Sequence, residues 1–149
     1  MIVNSITLKN FRNHDFVSCD FKPGLNILTG PNGVGKTNIV EAIYYLSLTR
    51  SFRINEEEGL IQEGKDKAEI KAVVSEGSIK RNININLTKE GKNIAINNKS
   101  VTKLSDLAKI VNVVLFEPKD VMFFRGSPKV GRNFLDISIS KKSALYFDY

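Results

Sequence analysis

Eight residues, GPNGVGKT from Gly30 to Thr37, match the pattern G-x-x-x-x-G-K-[ST] at every fixed position. In a loop of this kind, glycines turn successive backbone N–H groups into one concavity that can hold a polyphosphate. Lys36 is expected to reach the β- and γ-phosphates, and the Thr37 hydroxyl is expected to ligate Mg²⁺. The motif predicts a phosphate-binding loop between a strand and a helix.

The residues on both sides of the loop agree with this prediction. Upstream, residues 24–29 alternate apolar and polar side chains, which predicts a short buried strand. Downstream, apolar residues recur at helical spacing, at Ile39, Ala42, Ile43 and Leu46, with Val40, Tyr44 and Leu48 widening the apolar face. A helix that begins at the loop aims its partial positive charge at a polyphosphate. The alternative, a glycine-rich turn carrying a solvated lysine, leaves the agreement between motif and flanks unexplained.

Length and composition narrow the class of protein. A chain of 149 residues is expected to form one domain with its own core. The single cysteine, Cys19, excludes an internal disulfide, and the single histidine, His14, excludes a multi-histidine metal centre. The sequence has no run of about 18 apolar residues and no signal-peptide pattern at its start, so we expect a cytoplasmic protein with no membrane contact.

Positive charge is concentrated in two places. The net charge is +6, and the stretch from Lys119 to Lys142 has six basic residues against two acidic ones. Arg50 and Arg53 form a second basic spot just after the phosphate-loop helix. A basic surface can bind DNA or RNA through the phosphates, but it can also be the solvated face of a basic protein. Charge alone leaves both interpretations open.

The rest of the pattern predicts an α/β fold. Residues 1–20 are expected to give one or two strands, and residues 51–64 a loop with a short helical piece. Alternation predicts an antiparallel ribbon at 68–75, 80–87 and 93–96, followed by a short helix at 106–110 that Ser105 can cap. Residues 111–116 form an apolar run typical of a central strand, and further helices are predicted from Ser127 and over 143–149. We therefore expect a mixed sheet around the phosphate-loop helix, with an added antiparallel ribbon.

One feature would favour a self-contained nucleotidase. Residues 113–117 are four apolar residues closing on Glu117, like a strand that presents a magnesium-binding acid beside a phosphate loop. The other interpretation is a central strand that happens to end in glutamate. We favour that one, because Pro118 follows at once and only one acid is present.

Several blocks of the sequence together resemble the N-terminal part of the RecF family, bacterial DNA replication and repair proteins with an ATPase head similar to those of ABC transporters and SMC proteins. The blocks occur in the family's order along the whole chain. They are Leu8–Asn13, Pro23–Asn26, Gly30–Tyr44, Ser51–Arg53, Phe116 and Pro118 with Asp120, Gly126–Pro128, and Phe134–Asp136. The Ser51–Arg53 and last two blocks are more particular to this family than the others.

The resemblance implies that residues 1–149 are the first, ATP-binding lobe of an ABC-type head. A second lobe with the signature motif, the acidic magnesium-binding strand and the catalytic glutamate is expected after Tyr149. ATP would lie between the phosphate loop of one subunit and the signature motif of another, so we expect negligible hydrolysis by this chain alone. Two departures from the family pattern, Lys119 and Gly131-Arg132-Asn133, put the contacts of that region in doubt.

The resemblance also implies a ligand, a metal and partners. ATP is expected to contact Arg12 and the loop with its flank, namely Gly30, Pro31, Asn32, Gly33, Val34, Gly35, Lys36, Thr37 and Asn38, with Mg²⁺ on Thr37. Within this set, the Asn32 side chain is expected to donate near the γ-phosphate. The expected partners are double-stranded DNA, single-strand/double-strand junctions, RecR, RecO and a second copy in an ATP-dependent homodimer, with recombinase loading at gapped DNA as the outcome.

Three alternatives stay open from the sequence. The chain could be a small P-loop NTPase or kinase that uses Glu117, another SMC-like head fragment, or a DNA-binding or interaction module that keeps the loop for structure only.

Overall fold

The computed structural model describes residues 1–101, 104–117 and 132. Six strands and two α-helices are assigned in these ranges, with one 3₁₀ turn at Glu57–Leu60. The elements are β1 (Ile2–Phe11), β2 (His14–Asp20), α1 (Lys36–Leu48), β3 (Lys67–Glu76), β4 (Ile79–Thr88), β5 (Gly91–Ile96), β6 (Lys99–Ser100) and α2 (Leu104–Ile110). No helix in these ranges is long and apolar enough to cross a bilayer.

All six strands form one sheet in the order β2-β1-β3-β4-β5-β6, and every pairing is antiparallel. The hairpin of β1 and β2 places Ile6 opposite Cys19 and Leu8 opposite Val17. The predicted strands of residues 1–20 and the predicted antiparallel ribbon are therefore confirmed. The ribbon turns at Asn97 and Asn98, whose positive φ angles of 49° and 65° suit asparagine.

The core lies on one face of this sheet. Period-two alternation sends one set of side chains inward, at Ile6, Leu8, Ile70, Ile83, Ile85 and Leu87, all of which are buried. The apolar face of α1 packs on them through Ile39, Ala42, Tyr45 and Leu46. Because α1 begins at Lys36, this packing fixes the phosphate-binding loop against one end of the sheet.

Two predicted strands are not formed. Residues 25–30 and 111–117 have no strand assignment, and Leu25 and Val114 are 86% and 88% exposed. The prediction of a buried strand over residues 24–29 is wrong for this structure, as is that of a central strand over 111–116. The physical reason is that apolar side chains can pack on a core without their backbone joining a sheet: Val111 is buried, and Leu28 and Val113 pack against the core, although no strand is assigned to either segment. The described sheet is consequently antiparallel, without the parallel strands that a mixed sheet would contain.

Several sequence predictions fall outside the described residues. They are the helices from Ser127 and over 143–149, and the contacts of Lys119 and the Gly131-Arg132-Asn133 departure. The basic stretch from Lys119 to Lys142 also lies outside, apart from Arg132. The predicted short helix at 106–110 is confirmed within α2, Leu104–Ile110. The prediction that Ser105 caps it is wrong, because the helix begins at Leu104 and Ser105 lies inside it.

Candidate phosphate-binding site

The phosphate-binding loop contains three glycines with positive φ. Gly30, Gly33 and Gly35 have φ of 145°, 86° and 94°, conformations that side-chain-bearing residues rarely adopt. The Lys36 ammonium lies over this loop, donating hydrogen bonds to the carbonyl oxygens of Gly30 at 2.7 Å and Pro31 at 2.6 Å. An ammonium has three N–H donors, so one remains for an anionic oxygen.

The helix that follows begins without a side-chain cap. Gly35 is the N-cap residue of α1 in the left-handed conformation, and its carbonyl accepts from the backbone N–H groups of Asn38 and Ile39. No acidic residue lies in the first turn of α1. The positive end of the helix dipole is therefore uncompensated by the helix's own side chains. Thr37 is exposed at this end, in the first turn of the helix that follows the loop.

The turn between β1 and β2 holds the loop from the other side. Asn13 donates from Nδ2 to the carbonyl of Gly33 at 2.8 Å. His14 Nε2 lies 3.1 Å from the carbonyl of Gly35. Asn38 on α1 donates from Nδ2 to Asn13 Oδ1 at 2.7 Å, which closes a ring of contacts around the loop. The hairpin turn thus fixes the loop backbone before any ligand is involved.

Arg12, which precedes Asn13 in that turn, contacts α1. Its guanidinium donates to both oxygens of Glu41, from Nε at 2.9 Å and from Nη2 at 2.6 Å, and from Nη1 to the Gly59 carbonyl at 2.8 Å. Glu41 is fully buried at 0% exposure. Two-point contacts between a guanidinium and a carboxylate fix geometry as well as charge.

Arg53 and Ser51 complete this cluster. Arg53 Nη1 donates to Asn38 Oδ1 at 2.7 Å and to Glu41 Oε2 at 3.3 Å. The Ser51 hydroxyl donates to Glu41 Oε1, and its oxygen accepts from the backbone N–H groups of Arg53 and Ile54. Residues 12, 38, 41, 51 and 53 therefore form one hydrogen-bonded cluster, which we call the Glu41 cluster.

A cleft of about 600 Å³ opens beside the loop. Its walls come from the hairpin turn, from α1 and from the segment between α1 and β3, and it is lined by Arg12, Asn13, Asn38, Arg53, Gly59, Ile61, Gln62 and Glu63. Two of its lining residues, Asn13 and Asn38, are also the residues that hold the loop. The cleft and the loop are consequently parts of one continuous polar surface.

A second polar cluster lies at the far end of α1. The buried Tyr45 hydroxyl donates to Glu57 Oε1 at 2.9 Å, and Lys92 on β5 pairs with the same carboxylate and donates to the Thr49 carbonyl at 2.9 Å. Burial raises the pKa of Tyr45 well above its ordinary value of 10.0, and the hydrogen bond to Glu57 raises that pKa further. This cluster fastens α1 to the sheet away from the loop.

The structure brings most of the predicted site residues together. Residues 30–38 form one loop and helix start, and Arg12 lies next to the turn that contacts them. Of the loop residues, Pro31, Asn32 and Val34 are exposed. Glu117 is half-buried, and within the described ranges no group of three histidine, cysteine, aspartate or glutamate residues is placed to hold a metal.

Four residues that shape the site are not predicted to do so by the sequence pattern. Asn13 and His14 fall in the segment predicted as one or two strands, Glu41 is only part of a sequence block shared with the family, and Arg53 is predicted only as a basic surface residue. For Glu41 a local signal exists, because a charged residue directly beside Ala42 interrupts the apolar face of α1. The contacts of Asn13 and His14 join residues about 20 positions apart and leave no local pattern.

Comparison with known proteins identifies the family. The RecF/RecN/SMC N terminal domain family matches residues 2–127. The chain belongs to this family. It is 43% identical over 148 residues to the DNA replication and repair protein RecF of Clostridium acetobutylicum, covering 99% of this chain and 41% of that protein. It is 36% identical to RecF of Halalkalibacterium halodurans, covering 98% of this chain and 39% of the relative. The chain therefore spans about two fifths of the length of these curated relatives.

Solved structures show the fold of the family. Two structures of the recombination mediator protein RecF in the RecFOR pathway, one with ATPrS and one with ATP, superpose with TM-scores of 0.91 and 0.88 at 28% identity. They cover 98% of this chain and 40% and 41% of those chains. The SMC head domain from Thermotoga maritima matches with a TM-score of 0.58 at 23% identity, which shows the fold alone. The resemblance to the RecF family and the predicted ATPase-head fold are confirmed.

Proposed function

We propose that this chain is the ATP-binding first lobe of a RecF-type DNA repair protein. The observation that carries the proposal is the loop at Gly30–Thr37. Its three positive-φ glycines, the Lys36 ammonium above them and the uncapped start of α1 form one cationic concavity. Relatives solved with ATP and an ATP analogue support ATP as the ligand. In this proposal Lys36 contacts the β- and γ-phosphates, and residues 30–38 and Arg12 line the nucleotide.

The residues present fit a magnesium ion carried by the nucleotide. Mg²⁺ keeps several waters and is usually held by one or two side chains together with substrate phosphates. The hydroxyl of the exposed Thr37, directly after the loop lysine, is such a ligand. Bound there, the ion would neutralise phosphate charge and orient the phosphate chain. Among the described residues Thr37 is the side chain that we assign to it.

The decisive experiment is substitution of Lys36. Lys36→Ala removes a charge-assisted contact to phosphate, so we expect ATP binding to weaken by about 2 kcal/mol or more in an equilibrium titration. Lys22→Ala is the matched control, since Lys22 is exposed and lies outside the loop. Equal ATP affinity in wild type, Lys36→Ala and Lys22→Ala would contradict the assignment of Lys36. Absence of ATP binding by the wild-type chain would favour a module that keeps the loop for structure only.

We place catalysis in a longer protein. Charge that develops on the γ-phosphate needs further groups, which we assign to a second lobe in the part of the relatives that this chain does not span. The chain alone is expected to turn over ATP negligibly in a steady-state phosphate-release assay. Sustained turnover that Glu117→Gln abolishes would instead support a self-contained small NTPase, an alternative that the relatives do not favour.

The partners are proposed for the longer protein as well. Homologues named as DNA replication and repair proteins, and structures titled as part of the RecFOR pathway, support a role in recombinational repair. We propose that two such proteins associate when ATP is bound, that the dimer binds double-stranded DNA and single-strand/double-strand junctions, and that it acts with RecO and RecR to load recombinase at gaps. A cytoplasmic location belongs to the same proposal and suits a free thiol at Cys19.

A further inference from the structure

Glu41 is the only buried acidic residue in the described ranges. It lies on α1 five positions after Lys36, roughly 7 Å along the helix axis. Its carboxylate accepts hydrogen bonds from Arg12, Arg53 and Ser51. None of the predicted nucleotide contacts uses this group, so its role needs a separate account.

Stability alone does not explain a charge at this position. Moving a carboxylate out of water costs several kcal/mol, and replacing buried ion pairs with apolar side chains of similar volume is often neutral or stabilising. The neighbouring residue on the same helix, Ala42, is a fully buried apolar residue. An apolar side chain at position 41 would therefore serve packing, whereas a carboxylate there holds two guanidinium groups in fixed places.

The cluster keeps a net positive charge at the wall of the cleft. Two guanidinium groups face one carboxylate, and their side chains are 16% and 42% exposed for Arg12 and Arg53. Each guanidinium has five N–H donors. The contacts above use three donors of Arg12 and one Nη group of Arg53. N–H donors of Arg12 and Arg53 therefore remain at the edge of the cleft. They lie beside the Asn38 side chain, which contacts Asn13 in the hairpin turn.

We propose that Glu41 is a positioning residue for nucleotide binding. It acts through Arg12, whose guanidinium it orients so that the remaining N–H groups face the cleft beside the phosphate loop and contact an anionic oxygen of the nucleotide. This inference rests on the proposed ATP-binding function and adds to it the residue that prepares the arginine. Arg53, held by the same carboxylate and by Asn38, supports that orientation from the other side.

A double-mutant cycle on ATP affinity tests the proposal. In Glu41→Gln one carboxylate oxygen becomes an N–H₂ donor facing an arginine donor, so Arg12 loses its two-point contact. We expect Glu41→Gln and Arg12→Ala each to weaken ATP binding about tenfold. The double variant should also lose about tenfold rather than about a hundredfold, because both changes remove the same contact. If Glu41 had a purely structural role, its loss of ATP affinity would add to that of Arg12→Ala in the double variant.

Controls separate this inference from the proposed function. Glu58→Gln changes an exposed glutamate of the neighbouring 3₁₀ turn and should bind ATP as wild type does. Where Glu41→Gln does not fold in a thermal-unfolding assay, Arg12→Lys replaces it. That variant keeps the charge but not the two-point contact, and is expected to lose affinity like Arg12→Ala.

Two results would overturn the inference while leaving ATP binding intact. The first is normal ATP affinity in Glu41→Gln, or in Arg12→Lys, while Lys36→Ala loses affinity. The second is additive losses in the double variant, which would mean that Glu41 acts separately from Arg12. Absence of ATP binding by the wild-type chain would overturn the proposed function and this inference together.

Discussion

At Gly35 two distant parts of the sequence come within contact distance. A Cβ atom built there would overlap His14 Nε2 and lie 2.6 Å from Asn13 Oδ1, and the residue has φ of 94°. Gly35→Ala should therefore strain the backbone and push both hairpin side chains off the loop. We expect the free energy of unfolding to fall by about 2–4 kcal/mol and ATP affinity to drop with it. Chemical denaturation and ATP titration measure the two effects.

Gly24→Ala separates the effect of the steric clash at Gly35 from the effect of backbone strain at a positive φ. Gly24 has φ of 90°, close to that of Gly35, but a Cβ atom built there would have no other atom within 4 Å. This variant should lose only about 1–2 kcal/mol of stability and keep its ATP affinity. Equal ATP affinity in the Gly35→Ala and Gly24→Ala variants would mean that the hairpin contacts do not hold the loop in its binding conformation.

Individual site residues could be predicted from the sequence where they lie together in one contiguous motif. The spacing of Gly30, Gly35, Lys36 and Thr37 encodes one loop, and a contiguous motif is enough to find it. The partners of the loop were not predictable from pattern. The contact of Asn13 with Gly33 and that of Arg12 with Glu41 depend on how the hairpin lies against α1, which only the packed structure shows.

Among the elements, the antiparallel ribbon was the part best predicted from sequence. Its strands carry clean alternation, as in Ile83, Ile85 and Leu87 against three asparagines, and one-sided burial produces that pattern directly. Apolar runs without alternation were not sufficient. The segments at 24–29 and 111–116 have the composition of buried strands, but composition does not determine whether the backbone joins the sheet.

The cluster at the end of α1 gives a pH prediction. The pKa of Tyr45 is raised in the folded chain by burial and by Glu57, so the folded state keeps a proton that the unfolded chain loses above pH 10.0. Stability from this group is therefore complete below pH 10.0 and falls as the pH rises above it. The slope is about 1.4 kcal/mol per pH unit for one proton.

Tyr45→Phe tests this assignment. The variant lacks the titrating hydroxyl, so above about pH 10 its free energy of unfolding should decline less steeply than that of wild type, by a difference in slope that approaches about 1.4 kcal/mol per pH unit. Urea denaturation at a series of alkaline pH values provides the measurement. Parallel curves for wild type and Tyr45→Phe would show that Tyr45 does not govern alkaline stability.

On the scale of the whole molecule, the sequence predicted the type of head. The family resemblance covered the full chain, and the match to solved RecF structures over 98% of its length agrees with it. Large apolar side chains nevertheless remain exposed, with Ile27 and Phe116 among them. Exposed apolar surface of this kind is typical of an interface.

DNA binding is a property that we propose for the longer protein. The net charge of +6 on this chain supports a few phosphate contacts, and one of its two basic spots is partly neutralised because Arg53 pairs with Glu41. This chain should therefore bind double-stranded DNA weakly and without sequence preference. Because such contacts release counterions, its affinity should fall steeply between about 50 mM and 200 mM salt. Arg50→Ala, which removes the exposed arginine of that spot, should weaken binding about equally for all sequences.

The measurement is DNA affinity over a salt series, for this chain and for a protein of the relatives' full length, each with and without ATP. In the longer protein two lobes brought together by ATP would double the basic surface, and the second set of contacts would form within the same complex at high effective concentration. ATP should therefore tighten DNA binding by the longer protein and leave that of this chain unchanged. Tight, salt-insensitive or sequence-specific binding by this chain would place the DNA site within its 149 residues and contradict the assignment.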